Sequence, residues 1–435
     1  MLQDRPHPYI GTYLLLSLES QSAAKLLLDK LTQVVTSAND WAHPSEGAWV
    51  NVAFTYEGLR QIGIPNASLE SFDPLFIQGM AARAHHLGDR GESAAEHWEA
   101  PFGTDQIHVA FALFASNEIA LDTAREAAKQ AYHEIGGISV QYHMDVGMMP
   151  DGRTHLGFRD GISNPYIDGS PFPPAFGHEG PVKSGEFLFG YPNESGQIME
   201  GPSPAPLGHN GSYLSLRKLH ICAAAYRRYV QEKATASLSA ERIGAKMVGR
   251  WPSGTPLALS PEEDDTRLSE DESRINVFSY ADDPKGFKCP ISAHVRRAFP
   301  RDSLQDQVVD VNIHRLLRRS TVYGPALTKG VLEDDGHDRG IIFAGICTSL
   351  IRQYEFIKTE WLNGGNFVGL STEQDPVTGN KDGEHTFTIP AKPLRHRLKE
   401  VPEFSITRGG EYFFIPSLTA LRWLAEQAGQ GPSDL

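Results

Sequence analysis

The chain contains little cysteine, no long apolar run and no excess of basic residues. Its 435 residues include only three cysteines, Cys222, Cys289 and Cys347, so neither a disulfide framework nor a Cys-x-x-Cys metal pair can be drawn. No segment approaches the roughly 18–20 continuous apolar residues of a membrane span. The net charge of −14 opposes binding to nucleic acid or to anionic membrane surfaces. We therefore expect a cytoplasmic protein that binds neither nucleic acid nor membrane.

The remaining composition is that of a folded globular protein, with 40% hydrophobic and 22% charged residues. Continuous runs of apolar residues predict strands, and apolar residues that recur at three- and four-residue intervals predict helices. The predicted strands are 12–18, 107–114, 138–143, 212–219, 340–347 and 411–415. The predicted helices are 24–31, 117–133, 223–231, 350–361 and 417–427. The same order of elements in both halves predicts an α+β fold with a duplicated domain, each half an antiparallel sheet covered by helices.

A first candidate functional segment is Gly157-Phe158-Arg159-Asp160-Gly161. Two glycines bracket Asp160, so the backbone can turn tightly and approach a flat ligand while the carboxylate is held at the turn. Taken alone, an aspartate before a glycine is more often a plain turn residue.

A second segment, CPISAHVRR at 289–297, places His294 after small residues and before two arginines. A neutral imidazole in such a setting is a plausible ligand for iron, zinc or copper. A structural histidine is the alternative interpretation.

A third segment, HRLLRRSTVYG at 314–324, is strongly basic inside an acidic protein. This contrast indicates an anionic ligand, or a buried site where a guanidinium stabilises negative charge. A solvated surface balanced by nearby acids is the alternative.

Together the three segments resemble the dye-decolourising peroxidase family of haem enzymes. GFRDG at 157–161 matches that family's Gly-x-x-Asp-Gly motif, whose aspartate, here Asp160, lies on the distal face of the haem. CPISAHVRR resembles the segment that carries the proximal iron ligand, here His294. LLRRSTVYG resembles the segment that carries the distal arginine, here Arg318. Other segments between residues 13 and 425 look like the larger, C-type bacterial branch of the family.

The resemblance implies two ferredoxin-like domains, 1–205 with the Gly-x-x-Asp-Gly loop and 206–435 with the haem between its sheet and its helices. One haem b per chain would be held without covalent attachment, since the chain has no Cys-x-x-Cys-His segment. The implied activity is a peroxidase that reduces hydrogen peroxide and oxidises dyes, phenolics or other one-electron donors. A homo-oligomer is compatible with the sequence.

The roles implied for individual residues follow from the same resemblance. His294 is the iron ligand, Asp160 moves the peroxide proton, and Arg318 stabilises negative charge and contacts a haem propionate. Gly157 and Gly161 let the backbone approach the cofactor. An aspartate has an ordinary pKa near ~3.9 and remains a base at acidic pH, so we expect an acidic activity optimum.

Some positions depart from the family pattern or stay open. Met1 to Asp4 stand where members commonly have an Ile-Gln-Gly segment, which suggests a truncated entrance. Phe299 replaces a frequent asparagine and puts hydrogen bonds on the proximal side in doubt. An acidic group should orient the proximal histidine, and Glu355 and Glu403 are both candidates.

Bulky reductants would pass electrons through surface aromatic residues such as Tyr323, Trp361 or Trp423, and His314 is the next candidate ligand after His294. Two other functions stay open from the sequence. One is a non-catalytic haem-binding or deferrochelatase-like protein, and the other is a carbohydrate- or peptide-binding scaffold without haem.

Overall fold

Apolar runs form the strands and amphipathic segments form the helices in both halves of the molecule. The computed structural model describes residues 5, 7–37, 47–172, 174–307, 310–380 and 385–430; Met1 to Asp4 lie outside them. In these ranges the strands are β1 Ile10–Leu18, β2 Ala48–Phe54, β3 Val109–Ala115, β4 Ile138–Gly147, β5 Tyr166–Ile167, β6 Pro181–Val182, β7 Ser212–Ile221, β8 Leu317–Arg318, β9 Thr321–Tyr323, β10 Gly340–Cys347, β11 Thr386–Ile389, β12 His396–Lys399 and β13 Ser405–Ile415.

The helices of the same ranges are mostly short. The α-helices are α1 Gln21–Val34, α2 Tyr56–Ile62, α3 Asn66–Leu69, α4 Pro74–Gln78, α5 Met80–Arg83, α6 Glu118–Tyr132, α7 Ala205–Gly208, α8 Ala223–Glu232, α9 Ala240–Val248, α10 Thr266–Glu270, α11 His294–Ala298 and α12 Leu418–Gln427. Two π-helical segments span Leu350–Glu355 and Ile357–Leu362. Turns of 3₁₀-helix span Gly91–Ser93, Ala95–His97, Ser184–Glu186, Arg301–Gln307 and Val311–His314.

Two of the predicted helix starts are confirmed by capping hydrogen bonds. The Asn117 side chain accepts the Ala120 N–H at 3.0 Å, and the Ser417 hydroxyl accepts the Ala420 N–H at 3.1 Å. Each cap satisfies an N–H that has no partner inside the helix. All six predicted strands are present, whereas β2 and the short β5, β6, β8, β9, β11 and β12 were not predicted.

Each half has the same antiparallel strand order. The first half runs β4-β1-β3-β2, and the second runs β13-β7-β10-β9. With helices between the first and second and between the third and fourth strands of each half, this is the ferredoxin-like arrangement twice. The duplicated α+β fold predicted from the sequence is therefore confirmed.

The two sheets join through their outer strands. Val146 of β4 pairs with Tyr323 of β9, and Phe414 of β13 pairs with Phe54 of β2. Because β7 also pairs with β10, the eight strands β7-β13-β2-β3-β1-β4-β9-β10 form a closed ring. Closure leaves these strands without the unpaired edges that invite aggregation. A division between residues 205 and 206 stays a prediction.

Side chains along β7 alternate between its two faces, and one of these faces lines a cavity under the helices of the second half. Arg217, Leu219 and Ile221 line that cavity, while Leu216 belongs to the buried core that spans both halves. Side chains two apart share one face of a strand, so one face of β7 serves the cavity and the other serves the core. Among the described residues, no helix is both long enough and apolar enough to cross a bilayer.

Candidate active site

A cavity of about 290 Å³ lies between the sheet of the second half and the helices that cover it. Leu219 and Phe343 line it from the sheet, and Val248 and Ile357 line it from the helical side. The segment carrying Asp160 reaches the same cavity from the first half. Loops of both halves therefore enclose one predominantly apolar site with a few polar groups, which is the usual character of a cofactor pocket.

The structure brings two of the predicted residues into contact. Arg318 Nη1 donates to Asp160 Oδ1 at 3.2 Å, and the Gly161 N–H donates to the same oxygen at 2.7 Å. Asp160 is 44% exposed, and it lines the cavity. Withdrawal from bulk water raises the pKa of Asp160, but Arg318 and the Gly161 N–H outweigh this effect and leave the pKa below its ordinary value. The carboxylate is thus kept ionised.

Further hydrogen bonds hold the two segments together. The Arg318 N–H donates to Asn164 Oδ1 at 3.0 Å, and Arg315 Nη2 donates to the Ser163 carbonyl at 3.1 Å. Arg318 also pairs through β8 with Gly345 of β10. The Asp160 loop is therefore fixed against a strand rather than left free, as precise positioning of a reacting group requires.

The two motif glycines have different surroundings. Gly157 and Gly161 adopt φ of +89° and +84°, a region that other residues enter only with strain. Gly161 lines a second cavity beside Asp160, while Gly157 lines neither of the two cavities described here. Both glycines are needed for the turn, and their contact with a cofactor stays a prediction.

His294 lies at the first residue of α11 and lines the cavity. Its Nδ1 is 2.8 Å from Asp375 Oδ2, and Asp375 is completely buried. Burial lowers the pKa of His294, but the charge and hydrogen bond of Asp375 outweigh it, so the pKa is raised. A hydrogen bond at Nδ1 assigns the proton to that nitrogen and leaves the Nε2 lone pair for a metal.

Asp375, rather than Glu355 or Glu403, is the acidic partner of His294. The other oxygen of Asp375 accepts the N–H groups of Val377 at 2.8 Å and Thr378 at 2.7 Å. Glu355 instead accepts hydrogen bonds from Arg83 and Tyr412, and Glu403 accepts one from Ser93. The prediction that Glu355 or Glu403 orients His294 is therefore wrong, because the carboxylates of both glutamates are bound to other side chains.

The buried Arg250 and Arg301 and the half-buried Arg315 give one end of the cavity a positive charge. Burial and the neighbouring Arg301 lower the pKa of Arg315 and of Arg250 to about 9. The Arg315 guanidinium lies 3.6 Å from the centroid of the Phe299 ring, so this departure from the family pattern replaces a hydrogen-bonding side chain with a cation–π contact. Within the described ranges no ion pair joins Arg250 or Arg315 to a carboxylate. Guanidinium groups without a carboxylate partner in a cavity wall fit a ligand that carries its own carboxylates.

The donor set fits a haem group. Apolar walls suit the faces of a porphyrin, the arginine end suits its propionates, and the open Nε2 of His294 suits its iron. In the described part of the chain, no three His, Cys, Asp or Glu side chains form a site for a metal ion held by protein ligands alone.

The second cavity, of about 880 Å³, adjoins the Asp160 side of the first. Asp160 and Arg318 line both cavities, and Tyr166, Phe176 and Arg319 belong to the second. The contact between Asp160 and Arg318 is therefore reachable from two sides.

The residues predicted to pass electrons at the surface are mostly buried. Tyr323 is 3% and Trp361 is 5% exposed, so their assignment as surface aromatics is wrong. Tyr323 lies on β9, one of the strands of the closed ring. Trp361 packs against His314 and Phe356 and lines the cavity. Trp423 is partly buried on α12. His314 also lines the cavity, but its Nδ1 lies 2.5 Å from the Arg352 carbonyl rather than near a carboxylate.

Comparisons with known proteins show which proteins this chain is similar to. Residues 18–147 match the family model described as DyP dimeric alpha+beta barrel domain. The dye-decolorizing peroxidase msp1 of Mycetinis scorodonius is 30% identical over 401 residues, covering 86% of this chain and 75% of that protein. The multifunctional dye peroxidase DyP2 of an Amycolatopsis species is 26% identical over 450 residues, covering 95% of this chain and 92% of that protein.

Solved structures show the same similarity over almost the whole length. An ancestral D-type dye-decolorizing peroxidase superposes with a TM-score of 0.81 at 26% identity, covering 95% of both chains. A variant of the dye-decolorizing peroxidase from Pleurotus ostreatus superposes with a TM-score of 0.83 at 25% identity, covering 97% of this chain and 96% of that one.

The chain belongs to the dye-decolourising peroxidase family. It is a peroxidase, which excludes the haem-free scaffold and the non-catalytic carrier that the sequence alone leaves open. Both fungal and bacterial proteins are among the relatives, so assignment to the C-type bacterial branch stays a prediction.

Proposed function

We propose that this peroxidase holds one haem b, without covalent attachment, in the cavity lined by His294, and that it reduces hydrogen peroxide while oxidising dyes, phenolics or other one-electron donors. The observation that carries the proposal is one cavity containing both a carboxylate-oriented histidine and a carboxylate–guanidinium pair. The relatives named as dye peroxidases support the same substrates. Haem would supply the iron at which the peroxide O–O bond is cleaved.

His294 and Asp375 form the proximal side of the proposed site. His294 would hold the iron through Nε2, while Asp375 Oδ2 accepts the Nδ1 proton and fixes the ring. Because Asp375 is buried and bound to backbone N–H groups, it cannot rotate away without losing those bonds. A fixed, anionic partner raises the basicity of the ligating nitrogen.

Asp160 and Arg318 form the distal side. An Asp160 carboxylate oxygen takes a proton from hydrogen peroxide and returns it to the departing oxygen, while Arg318 stabilises the negative charge that develops during cleavage. The lowered pKa of Asp160 keeps it a base in acidic solution, which supports an acidic optimum. Arg318, with Arg315 nearby, would also hold a propionate.

The test is an absorption spectrum of haem-loaded protein before and after one equivalent of hydrogen peroxide. The wild type should bind haem and change its spectrum rapidly, while Asp160→Asn should bind haem but react about 10²–10⁴-fold more slowly. Asp151→Asn is the matched control, because Asp151 lines the second cavity and is not bonded to Arg318. Equal rates in the wild type and Asp160→Asn would remove Asp160 from the mechanism.

A cytoplasmic location and a homo-oligomer belong to the proposal as well. The location is supported by three cysteines that form no disulfide. Neither point bears on the chemistry of the site.

A further inference from the structure

We infer that Lys358 is a positioning residue for the proximal side, because its ammonium group holds the turn from which Asp375 reaches His294. The inference rests on the proposed function, since it concerns the histidine that would hold the iron. It assigns a task to a charged side chain of the cavity wall that neither the peroxide chemistry nor the iron ligation uses.

A short series of contacts leads from Lys358 to the imidazole. Lys358 belongs to the second π-helical segment and lines the cavity. Its Nζ donates to the Thr378 carbonyl at 2.9 Å. Thr378 in turn binds Asp375 Oδ1 through its N–H at 2.7 Å and through its hydroxyl at 3.3 Å. Since Asp375 Oδ2 contacts His294 Nδ1, Lys358 is connected to the imidazole through two residues.

The end of the same helical segment fixes both ends of this turn. The Asp375 N–H donates to the Leu362 carbonyl at 2.8 Å, and the Asn380 N–H donates to Asn363 Oδ1 at 2.9 Å. These two bonds fix where the turn begins and where it ends, but they do not reach its middle. Lys358 holds the middle, where the carbonyl that it binds and the N–H that binds the carboxylate belong to one residue.

The ammonium group keeps its charge at this place. Among the described residues, no carboxylate forms an ion pair with Lys358. Burial and the neighbouring Arg217 lower the pKa of Lys358 to about 8, and three carboxylates oppose this effect, those of Asp89, Asp375 and Glu403. Most molecules therefore carry the ammonium form at neutral pH. Its bond to the carbonyl is charge-assisted, and such bonds are stronger than those between neutral groups.

The Lys358 side chain acts on His294 through Asp375. Without the ammonium group, the Thr378 carbonyl loses its donor and the middle of the turn is free to shift. The Thr378 N–H then supports Asp375 Oδ1 less well, and Oδ2 is held less firmly against the imidazole. A weaker hydrogen bond at Nδ1 makes Nε2 a weaker base, and therefore a weaker ligand for iron.

The experiment is resonance Raman spectroscopy of the reduced, haem-loaded protein, in which the iron–histidine stretching frequency reports the hydrogen bond at Nδ1. Lys358→Met keeps the length of the side chain and removes its charge and its donors. It should lower this frequency in the same direction as Asp375→Asn, but by less. It should also lower haem affinity by about 3–10-fold, which is part of the about 10–100-fold typical for loss of a direct partner. Lys358→Arg, which keeps a cation, should restore the wild-type frequency.

Lys246→Met is the matched control. Lys246 is also buried and also donates to main-chain carbonyls, those of Phe287 and Lys288, but it does not line the cavity. Its substitution should leave the iron–histidine frequency unchanged, whatever it does to the stability of the fold. A frequency that moves equally in Lys246→Met and Lys358→Met would mean that the loss of any buried lysine disturbs the site, and would overturn the inference.

The double variant Lys358→Met/Asp375→Asn separates an effect through Asp375 from a direct effect of the ammonium charge on the haem. If Lys358 acts through Asp375, the double variant should show the frequency of Asp375→Asn alone, because the two substitutions then remove the same interaction. A further shift in the double variant, or an unchanged frequency in Lys358→Met, overturns the positioning role.

The haem-free protein supplies a test that does not depend on the proposed function. In proton NMR, the low-field position and slow exchange of the His294 Nδ1 proton report its bond to Asp375, and the resonance is identified by its loss in His294→Ala. Lys358→Met should move this resonance to higher field and speed its exchange. An unchanged resonance overturns the positioning role even if this variant binds no haem. A wild type that binds no haem at His294 overturns the proposed function instead.

Discussion

Replacing Asp375 with asparagine should weaken haem binding while leaving the fold intact. The carboxylate accepts the His294 Nδ1 proton and two backbone N–H groups. Asparagine can still accept the backbone bonds through its carbonyl oxygen, but its NH₂ group then faces the imidazole N–H. The ring loses its orienting acceptor and either turns or changes tautomer, which misdirects Nε2.

The size of the effect follows from the lost hydrogen bond. Removing the partner of a metal-bound histidine typically costs about 10–100-fold in metal affinity or activity, which is about 1.4–2.7 kcal/mol at ~1.4 kcal/mol per tenfold. Without haem, the variant also loses a hydrogen bond to a charged group, worth about 1.5–3 kcal/mol of unfolding free energy.

The pH dependence of this stability has a definite sign. Burial raises the pKa of Asp375, but His294 and the Thr378 N–H outweigh it and place the pKa well below its ordinary value. Such a carboxylate stabilises the fold above the pKa of the unfolded chain, near ~3.9, and less so as the pH falls toward the folded value. The stability difference between the wild type and Asp375→Asn should therefore shrink below about pH 4.

Haem titration, the reduction potential of the bound haem and urea unfolding of the haem-free protein measure these effects. The potential should rise in Asp375→Asn, because the histidine loses its anionic partner. Glu373→Gln is the matched control, since Glu373 lies two residues away and accepts from Ser292 rather than His294. Unchanged haem affinity and potential in Asp375→Asn would refute the orienting role.

Three further changes test the rest of the site. His294→Ala should lose the Soret-region haem band and recover it with added imidazole, whereas His314→Ala should keep it; the reverse would make His314 the ligand. Arg318→Leu should lower the rate of the peroxide reaction by about 10²–10³-fold. The same variant should move the acidic limb of the pH–activity profile to higher pH, because removing Arg318 raises the pKa of Asp160; a limb that did not move would mean that another group sets it.

The fold was largely predictable because its signal is local. Strands such as β1 and β10 are rich in apolar residues, and capping residues such as Asn117 mark the helix starts. Closure of the barrel was not predictable. It depends on Val146 and Gly147 pairing with the three-residue strand β9, and on one pair between Phe54 and Phe414. Strand pairings that involve so few residues leave no recognisable pattern in a single sequence.

The proximal carboxylate was missed for a related reason. Asp375 is 81 residues from His294, and its local sequence, Asp-Pro-Val-Thr, signals only the start of a turn. That turn does form, since Asp375 binds the N–H groups of Val377 and Thr378. The turn pattern in the sequence therefore accounts for the bonds of Asp375 Oδ1. The contact of Asp375 Oδ2 with His294 is visible only in the tertiary structure.

The charge of the chain and the charge of its cavity have opposite signs, and this difference connects composition with function. The protein carries −14 overall, yet Arg250, Arg301, Arg315 and Arg318 all line one cavity. Bringing buried and half-buried guanidinium groups together costs free energy through desolvation and mutual repulsion, as the lowered pKa of Arg315 reflects. A ligand with two carboxylates removes part of this cost when it binds, so the cavity should be more stable with its cofactor than without it. The acidic remainder of the chain gives the protein its net negative charge, while this positive charge is concentrated at the site.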